Sequence, residues 1–352
     1  MKNQVPSILL LGIYLVTSGC ATSRGPTVGL ARADRVPPTA LRRLRELPAE
    51  VREKLMALNP EQVTESEIKN LLSRMPAPRI ISINGGLLPI KSSMTSFARF
   101  LIGMGYPEES IRNPGDGTYT FGYSDTCDQI AGAVAWYYER EGLRPMIVGH
   151  SLGGIQTVRV LHRLAGDPKK DLRVWNPMTG SEEPRCEIVD PLTGAICPVV
   201  GLRLPYATAA LAGGVGRIIP SEWDMSSKLR KIPDSVEEFT GFQKGLDILG
   251  GDYLGYGAAN DYYSTGLARV RNVRLPSGGP HSTIPYTETL LKSPDALDWV
   301  DNYKPMDGER DGLDTNQDFG SKSARILWVA DVWHSLKRHW VLELQRLIRA
   351  GF

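Results

Sequence analysis

The stretch MIVGHSLG, residues 146–153, decides the fold of this chain. Its first residues predict a short buried strand, and Leu152 opens an amphipathic helix directly after it. The turn between them is so tight that Ser151 must adopt a strained backbone, and Gly149 and Gly153 lack the Cβ atoms that would collide there. The serine is therefore predicted at the carboxyl end of a strand, beside a helix N-terminus that stabilises negative charge.

Strands and helices alternate outward from this stretch. Residues 79–83 predict a buried strand, residues 127–141 a helix and residues 270–275 a later strand, whereas residues 221–249 are predicted to be largely helical. This alternation is typical of an α/β fold, in which a mostly parallel central sheet carries helices on both faces.

The pattern Gly149-His150-Ser151-Leu152-Gly153 resembles the nucleophile elbow of the α/β-hydrolase superfamily, and the His before the serine makes it similar to lipases and esterases. The resemblance covers about residues 79–300. It implies that Ser151 is a nucleophile and that the N–H of Leu152 donates to an oxyanion. It also implies a catalytic acid and then a His, both after the serine. The alternative is a Gly-rich turn without chemistry.

A second oxyanion donor is expected in the loop after an early strand. Asn84-Gly85-Gly86-Leu87 occupies that place, although the superfamily usually has His-Gly there. We expect the N–H of Gly86 or Leu87 to donate. The alternative interpretation is a plain glycine turn.

The chain has five histidines, and His281 is the predicted general base. It follows the strand predicted at residues 270–275 and a Gly-Pro turn, so a loop delivers it to the carboxyl edge of the sheet, where the superfamily carries its His. His334 is the alternative base.

Asp261 is the predicted catalytic acid, with Asp252 and Asp247 as alternatives. It follows Gly-Ala-Ala-Asn and resembles the strand-Gly-x-x-Asp arrangement that precedes the His in the superfamily. Its task would be to orient His281 and stabilise the imidazolium, whereas an Asp in such a loop is often only a turn former.

The first residues predict export. Lys2 precedes the apolar run Ile8–Val16, which is too short to span a bilayer comfortably, so residues 1–19 predict a signal peptide. Thr17-Ser18-Gly19 before Cys20 resembles a bacterial lipobox. The resemblance implies lipidation of Cys20, with palmitate as a typical acyl chain, and anchorage to the cell envelope, at the outer membrane if the source is Gram-negative. The alternatives are ordinary cleavage nearby or an uncleaved anchor.

The remaining organisation follows composition and hydrophobic spacing. The predicted parts are a tether at residues 20–39, an N-terminal helical extension at 40–77, an α/β-hydrolase domain at 78–300 with a candidate lid at 206–251, and an acidic loop and terminal helix at 301–352. Plain core packing is the alternative for the candidate lid.

Cysteine usage agrees with an oxidising compartment. Cys186 and Cys197 flank a predicted tight turn, and we expect a disulfide to close it. Cys127 would then be a lone thiol, buried as a small apolar residue.

Several partners and cofactors are disfavoured. The net charge of +2 gives no support for nucleic-acid binding. Asp307–Asp318 resembles a calcium loop, but a solvated acidic loop explains it better, and no His/Cys cluster has zinc-ligand spacing. We therefore expect neither a metal nor another cofactor, while the oligomeric state stays open.

The chain is thus predicted to be a serine hydrolase cleaving carboxylic esters through Ser151, His281 and Asp261, with an acyl or lipid ester as substrate and the membrane as a partner through the anchor. An acyltransferase or amidase with the same triad is one alternative. A non-catalytic envelope lipoprotein that keeps the fold for binding is another.

Overall fold

The computed structural model describes residues 39–86, 88–122, 125–168, 171–213, 224–247, 249–250, 260–277, 279–305 and 322–352. The predicted signal peptide, Cys20, the tether up to residue 38, Leu87, Asp252 and the acidic segment Asp307–Asp318 lie outside these residues. Residues Pro37–Phe352 belong to one compact unit.

The described residues form a central sheet of five parallel strands. In their order across the sheet, these strands are β1 (Ile80–Ile83), β2 (Met146–His150), β7 (Leu204–Ala210), β9 (Val236–Lys244) and β11 (Arg269–Leu275). Because the strands are parallel and follow one another in chain order, the loops after all five meet at one edge.

Short strands form three two-stranded pairs outside the central sheet. They are β3 (Trp175–Asn176) with β4 (Ser181–Glu182), β5 (Glu187–Val189) with β6 (Ile196–Pro198), and β8 (Lys231–Ile232) with β10 (Tyr263–Ser264).

Helices cover both faces of the central sheet, which confirms the predicted α/β class. Alternate β2 side chains enter two separate cores: Met146 and Val148 face one, and Ile147 faces the other. The first core is shared with α4 (Leu88–Gly103) and α8 (Ser323–Arg349), and the second with α5 (Cys127–Glu141) and α6 (Leu152–Leu164).

Local sequence signals set the ends of α5. The Thr126 hydroxyl accepts the backbone N–H of Gln129, and the Gln129 side chain accepts the backbone N–H of Thr126, forming a capping box. Gly142 ends the helix with φ of 82°, a conformation that favours glycine. This helix of the second core is therefore fixed at both ends by its own sequence.

The terminal helix α8 belongs to the first core. Its Trp328, Trp333 and Trp340 are fully buried, and it packs on β7 and β11. The shorter helices α1 (Thr39–Arg45), α2 (Ala49–Ala57), α3 (Glu65–Asn70) and α7 (Pro294–Asn302) contribute side chains to the same core. Among the helices that the structure describes, none combines the length and apolarity needed to cross a membrane.

Two predictions about residues 206–251 need correction. Residues 221–249 were expected to be largely helical, but Val236–Lys244 forms β9, an inner strand of the sheet. Its apolar residues Val236, Phe239 and Phe242 recur every three positions, a spacing that imitates a helix when both faces of a strand are buried. The candidate lid likewise contains most of β7 and all of β9, so its described ends are core strands.

The disulfide expected between Cys186 and Cys197 is not present, since both thiols are free. The register of β5 and β6 places Ile188 opposite Cys197, and the Val199 N–H donates to the carbonyl of Cys186. The two cysteines are therefore offset diagonally rather than paired across the hairpin.

Burial raises the pKa of the Cys127 thiol to about 11, which keeps that thiol protonated.

Candidate active site

Ser151 lies at a sharp turn between β2 and α6. Its backbone has φ of 57° and ψ of −123°, a combination that costs a non-glycine residue on the order of 1–3 kcal/mol. The Ser151 N–H donates to the carbonyl of Ala210 at 2.8 Å, and its own carbonyl accepts the N–H of Gly154 at 2.9 Å. Neighbouring backbone thus holds the serine in its strained conformation at the carboxyl edge of the sheet.

Two glycines make this turn possible. A Cβ on Gly149 would lie 2.2 Å from the Thr157 hydroxyl, and a Cβ on Gly153 would lie 2.2 Å from the carbonyl oxygen of Ile83. The second contact shows that the first turn of α6 lies directly against the end of β1. Leu152, the residue before Gly153, therefore lies near the loop that follows β1, and its N–H belongs to the first turn of α6, where N–H groups have no acceptor within the helix.

The loop after β1 is anchored by Asn84, which is buried. Its backbone N–H donates to the Phe121 carbonyl at 3.0 Å, and its side-chain amide donates to the Thr120 hydroxyl at 2.7 Å. Gly86, one of the two expected oxyanion donors, is half-buried two residues further on. This loop is fixed at its start, beside the elbow that carries Ser151.

His281 begins a short 3₁₀ helix, His281–Thr283, in the loop after β11. Its Nδ1 lies 2.7 Å from an oxygen of Asp247, and the side chains of both residues are buried. The other ring nitrogen, Nε2, is buried without a hydrogen-bond partner among the described residues. One nitrogen of this imidazole is thus held by a carboxylate, while the other is open for a proton.

The carboxylate beside His281 corrects the predicted acid. Asp261 instead accepts the side-chain amide of Gln243 at 2.9 Å, and its other oxygen lies 3.7 Å from Arg274. Asp247, one of the two alternatives, follows the end of β9, which is the parallel neighbour of β11. Asp247 was missed as the acid because a helix was expected in place of β9. It was therefore not recognised as a residue that follows a strand, which is the position expected for the catalytic acid.

Several groups keep Asp247 ionised. Burial alone would raise its pKa, but the hydrogen bond and charge of His281, the N–H of Gly250 and the charge of Lys244 together lower it. Gly250 must also stay small, because a Cβ there would lie 2.7 Å from the Asp247 carboxylate. The pair is therefore built around a negative carboxylate.

The elbow touches His281 through His150, the residue before the serine. The His150 Nε2–H donates to the carbonyl oxygen of His281 at 3.2 Å, and the two imidazole centres are 5.0 Å apart. Burial, followed by the charge of His281, lowers the pKa of His150 to about 3, so its ring is neutral at physiological pH. The turn that carries Ser151 and the loop that carries His281 are thus in contact through His150.

The other histidines are hydrogen-bonded elsewhere. His162 is 3.0 Å from the carbonyl of Lys231, and His339 is 3.3 Å from Glu238. His334, the alternative base, lies on α8 with Nε2 3.3 Å from the carbonyl of Glu61. Of the five, His281 is the one bonded to a buried aspartate at the edge that carries Ser151.

Two cavities of similar volume lie in different places. One of about 340 Å³ is lined by Pro145 and Leu204, before β2 and at the start of β7, so it lies at the edge opposite Ser151. The other, about 330 Å³, is lined in part by Thr120 and Phe121, which bond to Asn84. The second cavity is the one next to the loop after β1.

No group of three or more His, Cys, Asp or Glu side chains is arranged to hold a metal ion within the described part of the chain. Comparison with protein-family models, curated proteins and solved structures finds no match for this chain. Its chemistry must therefore be argued from the geometry of Ser151, His281 and Asp247.

Proposed function

We propose that this chain is a serine hydrolase that cleaves carboxylic esters. The observation that carries the proposal is the arrangement around His281. Its Nδ1 is held by Asp247, while its Nε2 has no hydrogen-bond partner among the described residues. Its carbonyl oxygen accepts a hydrogen bond from His150, the residue before Ser151. A nucleophile on a strained turn, a base and a carboxylate that orients the base are the three parts that acyl transfer through a serine requires.

The proposed reaction begins when the Ser151 hydroxyl attacks the ester carbonyl while Nε2 of His281 takes its proton. Asp247 fixes the imidazole with its proton on Nδ1 and stabilises the imidazolium that forms. The N–H of Leu152 and a donor from the Gly86 region, Gly86 or Leu87, stabilise the oxyanion. His281 then protonates the leaving alcohol, and water, activated by the same imidazole, releases the acid from Ser151.

An acyl or lipid ester is the proposed substrate, met at the membrane to which the chain is anchored. The support for the anchor is the lipobox-like sequence before Cys20, which is consistent with export to a bacterial envelope. Expression of the full chain beside Cys20→Ser, followed by detergent phase partitioning, tests this part: loss of the detergent-phase fraction in the variant supports lipidation. Equal partitioning of both would show that Cys20 carries no lipid.

Fluorophosphonate labelling of the purified protein tests the reaction class. We expect the wild type to be labelled and Ser151→Ala to remain unlabelled, because the probe reacts with an activated serine. Hydrolysis of p-nitrophenyl esters of increasing chain length would then rank acyl substrates, and transfer to an added alcohol would favour an acyltransferase. If neither form is labelled, with or without detergent, the proposed serine hydrolase is rejected and the alternative of a non-catalytic binding protein is favoured.

A further inference from the structure

We propose that Lys244 and His150 are positioning residues, which hold the loop of His281 through hydrogen bonds to the carbonyl oxygens of Gly279 and His281. This inference rests on the proposed function, since it assigns a task to residues that touch neither substrate nor the reacting atoms. It adds two residues to the machinery around Ser151 and Asp247.

Lys244 supplies the first of the two hydrogen bonds. It is the last residue of β9 and is 4% exposed, which is rare for a lysine. Its ammonium donates to the Gly279 carbonyl at 2.7 Å, two residues before His281. Burial lowers the pKa of Lys244, and the charge of Asp247 opposes that lowering. A buried cation is costly unless its charge is compensated, so the hydrogen bond to Gly279 and the charge of Asp247 favour this placement of Lys244.

His150 supplies the second hydrogen bond. A carbonyl oxygen only accepts, so the 3.2 Å contact with His281 fixes the proton of His150 on Nε2. Because its pKa is lowered to about 3, His150 adds no positive charge when His281 takes up a proton. This side chain can hold the base without opposing its protonation.

The two bonds come from different strands. His150 ends β2, beside Ser151, and Lys244 ends β9, close to Asp247 in the chain, while β7 lies between those strands. The backbone at Gly279 and His281 is thus hydrogen-bonded to the end of β9, which precedes Asp247, and to the end of β2, which precedes Ser151. A displacement of about 1 Å at a reacting group costs on the order of 10²-fold in rate, so such ties matter for catalysis.

The test uses purified variants of the protein assayed with a p-nitrophenyl ester. We expect Lys244→Met and His150→Phe each to lower kcat by about 10- to 100-fold with little change in KM, because the substrate-binding surface is untouched. Lys244→Arg and His150→Gln keep a donor near the same place, and we expect them to recover part of the lost rate.

A pH profile separates positioning from mere stability. His281 and Lys244 are the charged groups that lower the pKa of Asp247, and the Gly250 N–H lowers it through a hydrogen bond. Removal of the Lys244 charge makes Asp247 easier to protonate, so the acid-side loss of kcat/KM should begin at higher pH in Lys244→Met. Lys337→Met is the control: Lys337 is also buried and also donates to a carbonyl, that of Val63, but it lies on α8 and forms an ion pair with Asp301. That variant should lose thermal stability and keep the wild-type kcat and pH profile.

The inference is overturned if folded Lys244→Met and His150→Phe keep the wild-type kcat and pH profile while Ser151 is still labelled. The proposed hydrolase function would survive that result. If the wild type shows neither labelling nor hydrolysis, the proposed function fails and this inference fails with it. If the Lys337→Met control loses kcat as much as Lys244→Met does, the effect is one of stability, and the positioning role is rejected.

Discussion

Two side-chain pairs near β11, each with a buried aspartate, differ in the chemistry that they allow. After the strand, His281 contacts Asp247 through one nitrogen and leaves the other open. Within the strand, Arg271 makes two bonds of 2.6 Å to Asp331 of α8, which also accepts the hydroxyl of Tyr303. Burial alone would lower the pKa of Arg271, but Asp331 raises it, so its charge is permanent.

The difference separates a pair that can exchange protons from a pair that only holds the fold. A guanidinium stays protonated throughout the physiological pH range and so does not exchange protons, and removing its carboxylate leaves an uncompensated charge. An imidazole that is held at one nitrogen keeps its other nitrogen available for proton exchange in a buried place. We therefore expect mutations in the two pairs to have opposite effects on activity and on stability.

The largest expected effect is on activity and comes from Asp247→Asn. The amide favours the wrong tautomer of His281, and the comparable change in serine proteases lowers kcat by about 10⁴-fold. The measurement is the kcat of steady-state ester hydrolysis, and Asp261→Asn is the matched control. We expect the kcat of the control to stay within about 2-fold of wild type, because the partners of Asp261 are Gln243 and Arg274 and not His281. A large loss in the control alone would reverse the two assignments.

Asp331→Asn should have the next largest effect, on stability. It leaves Arg271, whose side chain is 23% exposed, without its carboxylate. Removal of one partner of a fully buried pair costs about 3–5 kcal/mol, so we expect a loss at the lower end of that range. Urea unfolding followed by fluorescence measures this loss, and the fluorophosphonate labelling rate of the folded variant should equal that of wild type. A normal midpoint with slow labelling would mean that the two pairs are functionally connected.

Gly153→Ala tests whether the elbow and the loop after β1 need their close contact. The new Cβ would lie 2.2 Å from the carbonyl oxygen of Ile83, so the loop must move away from the oxyanion. Loss of one oxyanion donor lowers kcat by about 10²- to 10³-fold, and we expect a decrease in that range. Hydrolysis rates of the folded fraction measure it, and an unchanged kcat would exclude the loop as a donor.

The smallest expected effect is on the pH dependence of stability, and it comes from Glu238 of β9, which contacts Arg338 and His339 of α8. Burial alone would raise the pKa of Glu238, but His339, Arg338 and Arg269 lower it from 4.5 to about 2. A depressed carboxyl pKa stabilises the fold above pH 4.5 and loses that contribution as the pH falls towards 2. The stability difference between wild type and Glu238→Gln should therefore shrink by about 3 kcal/mol over that interval. Urea midpoints at several pH values measure this, and a constant difference would contradict the assignment.

Much of the fold could be predicted from local signals. The strand before Ser151, the helix after it, the helix at residues 127–141 and the strand at β11 each depend on residues close together in the chain. The segment of β9 could not, because a strand buried on both faces lacks period-2 alternation. That single error carried over to the site, where Asp261 was chosen in place of Asp247.

The sequence by itself determined the elbow of Ser151, since glycines and a strand-to-helix transition are local requirements. It also singled out His281 by its place after a strand. Only the tertiary structure decided which aspartate meets that imidazole, that the cysteines of the β5–β6 hairpin are offset, and that Lys244 and His150 hold the loop of His281. The physical reason is that such contacts depend on strand order and register, which join residues far apart in the chain.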